Sequence, residues 1–190
     1  TDPSKLIPAL LKVAPKTAPV PFVLTCYLDA SDSDMSSVKL QIAAQTARDI
    51  WLKAGIDWRF TEDAKFTPQA VVRIYPGLHH YGMTDGRESV VCDGGYDGSG
   101  ESTGLVIAHE LGHVLGLHHV TQSGNLMGPY DGLHEARIGT FQASSAKMID
   151  RSIAAEIKPG EMTQRLRQAQ QPAHLILVYA NDARSASLRS

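Results

Sequence analysis

The chain has 190 residues, 43% of them hydrophobic and 20% charged, which is enough for one hydrophobic core and suits a single domain spanning 1–190. Its 18 Lys+Arg against 20 Asp+Glu give a formal net charge of −2, without the basic excess that a phosphate-binding surface needs, so nucleic acid is not an expected partner. No apolar run approaches the roughly 20 residues that cross a bilayer, and no membrane span is expected.

The chain opens on Thr1 rather than Met, which suggests a processed or trimmed form from which any export signal has gone. Residues 1–21 are rich in proline, and Pro8 and Pro15 keep the patch Leu6, Ile7, Leu10 and Leu11 from growing into a long helix, so an arm on the body is expected. Val20 to Leu28 is almost wholly apolar and predicts a strand buried on both faces, central in a sheet. Beyond an Asp- and Ser-dense stretch, Val38, Ile42, Ala43, Ala47, Ile50, Trp51 and Ala54 follow a helical period that stops at Gly55. Ile56–Thr61 and Ala70–Tyr75 read as strands, giving an α/β or α+β beginning. From Pro76 to Ser102 the chain is rich in Gly and Asp, interrupted by one short strand candidate, Ser89–Cys92, read as an edge strand.

Thr103 to Leu117 is helical in pattern, with Ser102 placed to cap it. A Gly- and Pro-punctuated stretch from Gly124 to Gly139 follows, and Phe141, Met148, Ile149, Ile153 and Ile157 mark a further helix that Pro159-Gly160 ends. A short polar helix near Glu161–Gln171, an apolar strand-like run Leu175–Tyr179 and a polar tail close the chain. The two cysteines, Cys26 and Cys92, fit neither a redox pair nor a cysteine zinc site, leaving one long-range disulfide or two buried thiols.

The chemistry is concentrated in His109-Glu110-Leu111-Gly112-His113-Val114-Leu115-Gly116-Leu117-His118-His119, which contains HExxHxxGxxH. On a helix His109 and His113 project from one face, where both imidazoles can bind one zinc ion. Glu110 sits one residue along, able to hydrogen-bond a water at the metal without taking a coordination position, as a general base must. Gly116 can adopt positive φ and turn the chain back, so that a residue three positions on reaches the same metal. His119 holds that position, with the extra His118 beside it. Three imidazoles and a water make the open tetrahedral arrangement of a catalytic zinc site.

This stretch, followed by Asn125-Leu126-Met127, resembles the metzincin zinc endopeptidases, whose HExxHxxGxxH helix precedes a Met-turn beneath the metal, and its phrasing is closest to the matrixins. The resemblance implies a zincin-like α+β fold: a mixed twisted sheet with an edge strand over the cleft, a long backing helix, the active-site helix, the Met-turn and a C-terminal helix. It makes His109, His113 and His119 zinc ligands, Glu110 the catalytic base and Met127 the Met-turn residue. It divides the domain into an N-terminal subdomain of about 20–118, a C-terminal one of about 119–160 and an added segment 161–190. After the Met-turn, Tyr130, Leu133 and His134 are expected along a substrate pocket, Tyr130 either near the metal or at the rim.

Asp85, Asp93, Asp97 and Glu101 are either calcium ligands, as in related matrixin loops, or a solvated loop. His79-His80 is either a second zinc site or an exposed polar loop. The expectation for the whole chain is a secreted or periplasmic monomer, a zinc endopeptidase that binds extended peptide along the edge strand at Ser89–Asp93. The rival readings are an inactive zinc-bearing protein that binds a peptide or polymer, and a zinc hydrolase of a non-protein amide.

Overall fold

The computed structural model describes residues 21–77, 81–129 and 136–170. They form β1 (Phe22–Asp29), α1 (Ser37–Lys53), β2 (Ile56–Thr61), β3 (Ala70–Tyr75), β4 (Gly82–Asp85), β5 (Glu88–Cys92), α2 (Gly100–Val114), α3 (Thr140–Ala146) and α4 (Glu161–Gln170). The five strands make one mixed sheet in the order β2-β1-β3-β5-β4, parallel except for the antiparallel β4–β5 pair. The fold is α+β and zincin-like, as the resemblance implies.

Alternation along the strands divides the sheet into two unlike faces. Leu24, Cys26 and Leu28 of β1 and Ala70, Val72 and Ile74 of β3 join Ala43, Ala47 and Trp51 of α1 and Ile107 and Leu111 of α2 in the main core. The indole nitrogen of Trp51 donates to the Ala108 carbonyl at 3.0 Å, tying α1 to α2. On the opposite face of β3, Val71, Arg73 and Tyr75 are also buried, because the chain from Ala155 into α4 covers them. Ala155 donates to the Pro68 carbonyl at 2.8 Å, and Arg73 reaches the Ile157 carbonyl, Asp29 and Glu88. The segment 161–190 is thereby placed in part, with Thr163 of α4 bonded to Glu88 at the start of β5; Leu175–Tyr179 lies outside the described residues.

Several expectations are corrected. β1 is interior but not buried on both faces: Val23, Thr25 and Tyr27 stay half-exposed, and it is β3 that is covered twice. β5 is not the edge, because β3 and β4 bond to its two sides; the free edge belongs to β4, whose Gly- and Asp-bounded sequence reads as loop. α2 starts at Gly100 rather than Thr103, since Ser99, not Ser102, is the cap: its hydroxyl accepts the N–H three positions on, from Ser102 at 3.0 Å. The helix expected through Ile157 stops at Ala146, with Phe141, Met148 and Ile153 exposed. The Asp150 carboxylate accepts the Ser152 N–H at 2.9 Å there, a local bond that competes with the helical ladder.

Cys26 and Cys92 are free thiols, which removes the disulfide alternative. Cys26 pairs with Ala70 and Cys92 with Tyr75 on opposite sides of β3, which separates them by on the order of 20 Å, far beyond disulfide reach. Cys26 lies in the core, where burial pushes its thiol up, and Cys92 is only partly buried.

Candidate active site

The last turn of α2 and the turn that ends it assemble the histidines. Gly116 has φ of 80°, and the Gly116 and Leu117 N–H groups donate to the His113 and Gly112 carbonyls, both at 2.9 Å. This paired pattern is a Schellman cap, and it reverses the chain after Val114. His119 consequently returns to the helix face that carries His109 and His113. Its Nε2 lies 3.1 Å from the Nε2 of each, and among the described residues the three rings form the group of side chains that could hold a metal ion. His118 lines the cleft but is not part of the cluster.

The donor set fits one zinc ion. Ligand bonds of about 2.0–2.1 Å at tetrahedral angles place nitrogens roughly 3.3 Å apart, close to the spacing found. The ring orientations agree with it: His109 Nδ1 lies 2.7 Å from the Leu126 carbonyl and His113 Nδ1 lies 2.9 Å from the Leu117 carbonyl. A carbonyl can only accept, so Nδ1 carries the proton in both rings and each Nε2 lone pair is directed at the shared point. Burial lowers the pKa of His109, as do His113 and His119, while the Leu126 carbonyl opposes them; the net effect keeps the ring neutral, the form that ligates.

Met127 is fully buried beneath the helix, its sulfur occupying the space above Gly112 where a side chain would otherwise sit. Asn125 shapes the turn by accepting the Met127 N–H at 2.9 Å, and the same turn supplies the Leu126 carbonyl to His109. The Asn125-Leu126-Met127 turn thus lies directly under the cluster.

Glu110 is almost fully buried beside it. The Thr84 hydroxyl donates to Glu110 Oε2 at 2.6 Å and lies 2.8 Å from the Ser89 hydroxyl. Burial pushes the Glu110 carboxyl up, while the Thr84 hydroxyl and His113 pull it back. A Cβ on Gly82 would lie 2.5 Å from Glu110 Oε1, so any larger residue there would displace this carboxylate. Sequence reading missed Thr84 and Gly82, since a Thr and a Gly in a loop-like stretch carry no spacing signal. It missed the Leu117 and Leu126 carbonyls because backbone groups have no sequence signature.

The cluster and Glu110 face a cleft of about 780 Å³ bounded by Tyr81 to Gly86 on one side and by Gly116 to His119 on the other. Tyr81 and Tyr96 line it with ring centroids 4.2 Å apart and planes tilted by 53°, and Met162 reaches in from α4. Asp85, Asp93, Asp97 and Glu101 do not come together as a ligand group among the described residues; Asp93 accepts from Ser33 and Asp97 from the Ser99 N–H. Tyr130, Leu133 and His134, and the pair His79-His80, lie outside the described residues.

Residues 52–149, just over half of the chain, match the family model of the matrixin peptidases, Peptidase_M10. No curated protein matches the chain. No helix among the described residues is long and apolar enough to cross a membrane.

Proposed function

The chain belongs to the matrixin family, and from that premise we propose that it is a zinc endopeptidase whose ligands are His109, His113 and His119 and whose general base is Glu110. The observation that carries this reading is the convergence of three Nε2 atoms beside a buried carboxylate, under a free strand edge. Zinc held there supplies Lewis acidity to a carbonyl and to a water.

The chain's own residues supply the remainder. The outer edge of β4 offers unpaired main-chain N–H and C=O groups to an extended peptide, which favours a peptide over another amide. Glu110 takes the attacking water's proton and returns it to the leaving nitrogen, so no covalent enzyme intermediate is needed. Thr84 fixes one carboxylate oxygen of Glu110 and so orients the proton transfer. Leu126 and Leu117 hold the two helical imidazoles in the ligating tautomer.

Glu110→Ala tests the assignment of roles. The variant is expected to retain one zinc per chain by elemental analysis and to lose at least about 100-fold in peptide turnover. Near wild-type cleavage by the variant would remove Glu110 from the mechanism, and loss of zinc with activity would make its role structural.

A further inference from the structure

Beyond the residues that the family model covers, the chain returns to the cleft. Met162 is the cleft-lining residue, among the described residues, that comes from beyond His119. We propose that α4 is a wall of the substrate cleft and that Met162 is a specificity-determining residue, selecting an apolar side chain on the N-terminal side of the scissile bond. This proposal rests on the peptidase reading.

The position of Met162 is fixed by its neighbours. Asp85 of the free edge pairs with Glu88 of β5, so Glu88 marks the C-terminal end of β4. The Glu88 carboxylate accepts the Gly160 N–H at 3.1 Å and the Thr163 hydroxyl at 2.7 Å, bracketing Met162 on both sides. Arg73, buried in the sheet, holds Glu88 in turn at 2.7 Å. Further along α4, Arg167 pairs with Asp32 at 2.8 Å. Apart from Leu166 and Ala169 the rest of the helix, EMTQRLRQAQ, is polar, and Met162 is only half-buried, on the wall of the cleft.

We take the bound peptide to run antiparallel to β4, the sense in which β4 itself pairs with β5. Glu110, the proposed base, lies against β4 from Gly82 to Thr84, so the reacting bond lies opposite those residues and Asp85 and Gly86 come after it along the strand. A peptide added antiparallel to β4 places its N-terminal residues opposite the C-terminal end of that strand, at Asp85 and Gly86, where Met162 stands. A flexible, polarizable thioether there suits apolar side chains of several shapes.

The test is cleavage-site profiling of the zinc-loaded full chain on a random peptide library, comparing wild type with Met162→Ala and Met162→Lys, with zinc content measured for each. Met162→Ala should relax the apolar preference at one position N-terminal to the cut. Met162→Lys should raise acceptance of Asp and Glu at that same position by about tenfold, the scale of a single pocket contact, leaving the other positions unchanged. A structural role for Met162 would not produce a position-specific charge preference. If wild type cleaves and both variants give its profile with zinc intact, the assignment of Met162 is overturned and the peptidase reading stands. If wild type cleaves no peptide, both fall.

Discussion

At the scale of single residues, the site depends on groups that lie outside the zinc-binding motif. Thr84 is the one side chain seen donating a hydrogen bond to the Glu110 carboxylate among the described residues, and the carboxylate is nearly withdrawn from water. Thr84→Val keeps the shape and removes the donor, so Glu110 is left less well oriented and its charged form less well supported. We expect turnover to fall about tenfold with zinc content and KM little changed, which steady-state kinetics with metal analysis would show. A fall in zinc content would mean that Thr84 supports the metal cluster rather than the base. His109, Glu110, His113 and His119 are legible in the sequence because helical period and a glycine turn translate spacing into position. Thr84 and Gly82 are not, because their roles arise from strand pairing at positions 26 or more residues before Glu110.

At the scale of elements, boundaries follow local hydrogen bonds more closely than apolar periodicity. α1, β2 and β3 stand where periodicity and punctuation place them, since their apolar stripes are buried and Gly55 turns at positive φ. α3 falls short of the expected helix, with Phe141, Met148 and Ile153 left exposed while Ala146 alone of its own residues is buried, and β4 is hard to read because four residues bounded by Gly and Asp carry little strand signal. The end of α2 is the boundary with the greatest functional weight. Gly116→Ala forces a side chain into the left-handed region at a cost of roughly 1 kcal/mol, and His119 lies just past the turn. The variant should show a lower Tm and weaker zinc retention in competition with a chelator, with far-UV circular dichroism unchanged. Unaltered zinc retention would mean that His119 reaches the cluster independently of the cap.

At the scale of the whole molecule, the sheet is held by ion pairs as well as by its core. Asp57, almost fully buried, pairs with Arg48 at 2.7 Å and with Arg59 at 3.5 Å, and the Arg48 guanidinium holds its carboxyl below the usual range. Asp29 is desolvated, yet Ser31 and Arg73 outweigh burial and lower it also. Groups with depressed folded pKa contribute stability that is present above the unfolded value near 3.9 and is lost as pH falls through the folded value. Denaturant midpoints should therefore drop below about pH 4. Asp57→Asn should cost about 1 kcal/mol at pH 7, Arg48 being half-exposed, and should differ less from wild type as the pH falls. An equal difference at pH 7 and pH 3 would show that the carboxylate charge of Asp57 is not what matters.

The central claim is that this matrixin cuts peptide bonds with a metal held by three histidines. Its most direct test is mass spectrometry of a proteome-derived peptide library incubated with the purified chain, first zinc-loaded, then stripped by a chelator, then resupplied with zinc. Internal cleavages are expected with the zinc-loaded chain, to disappear on stripping and to return with one equivalent of zinc. Cleavage indifferent to the chelator, or no internal cleavage by the zinc-loaded protein, would contradict it.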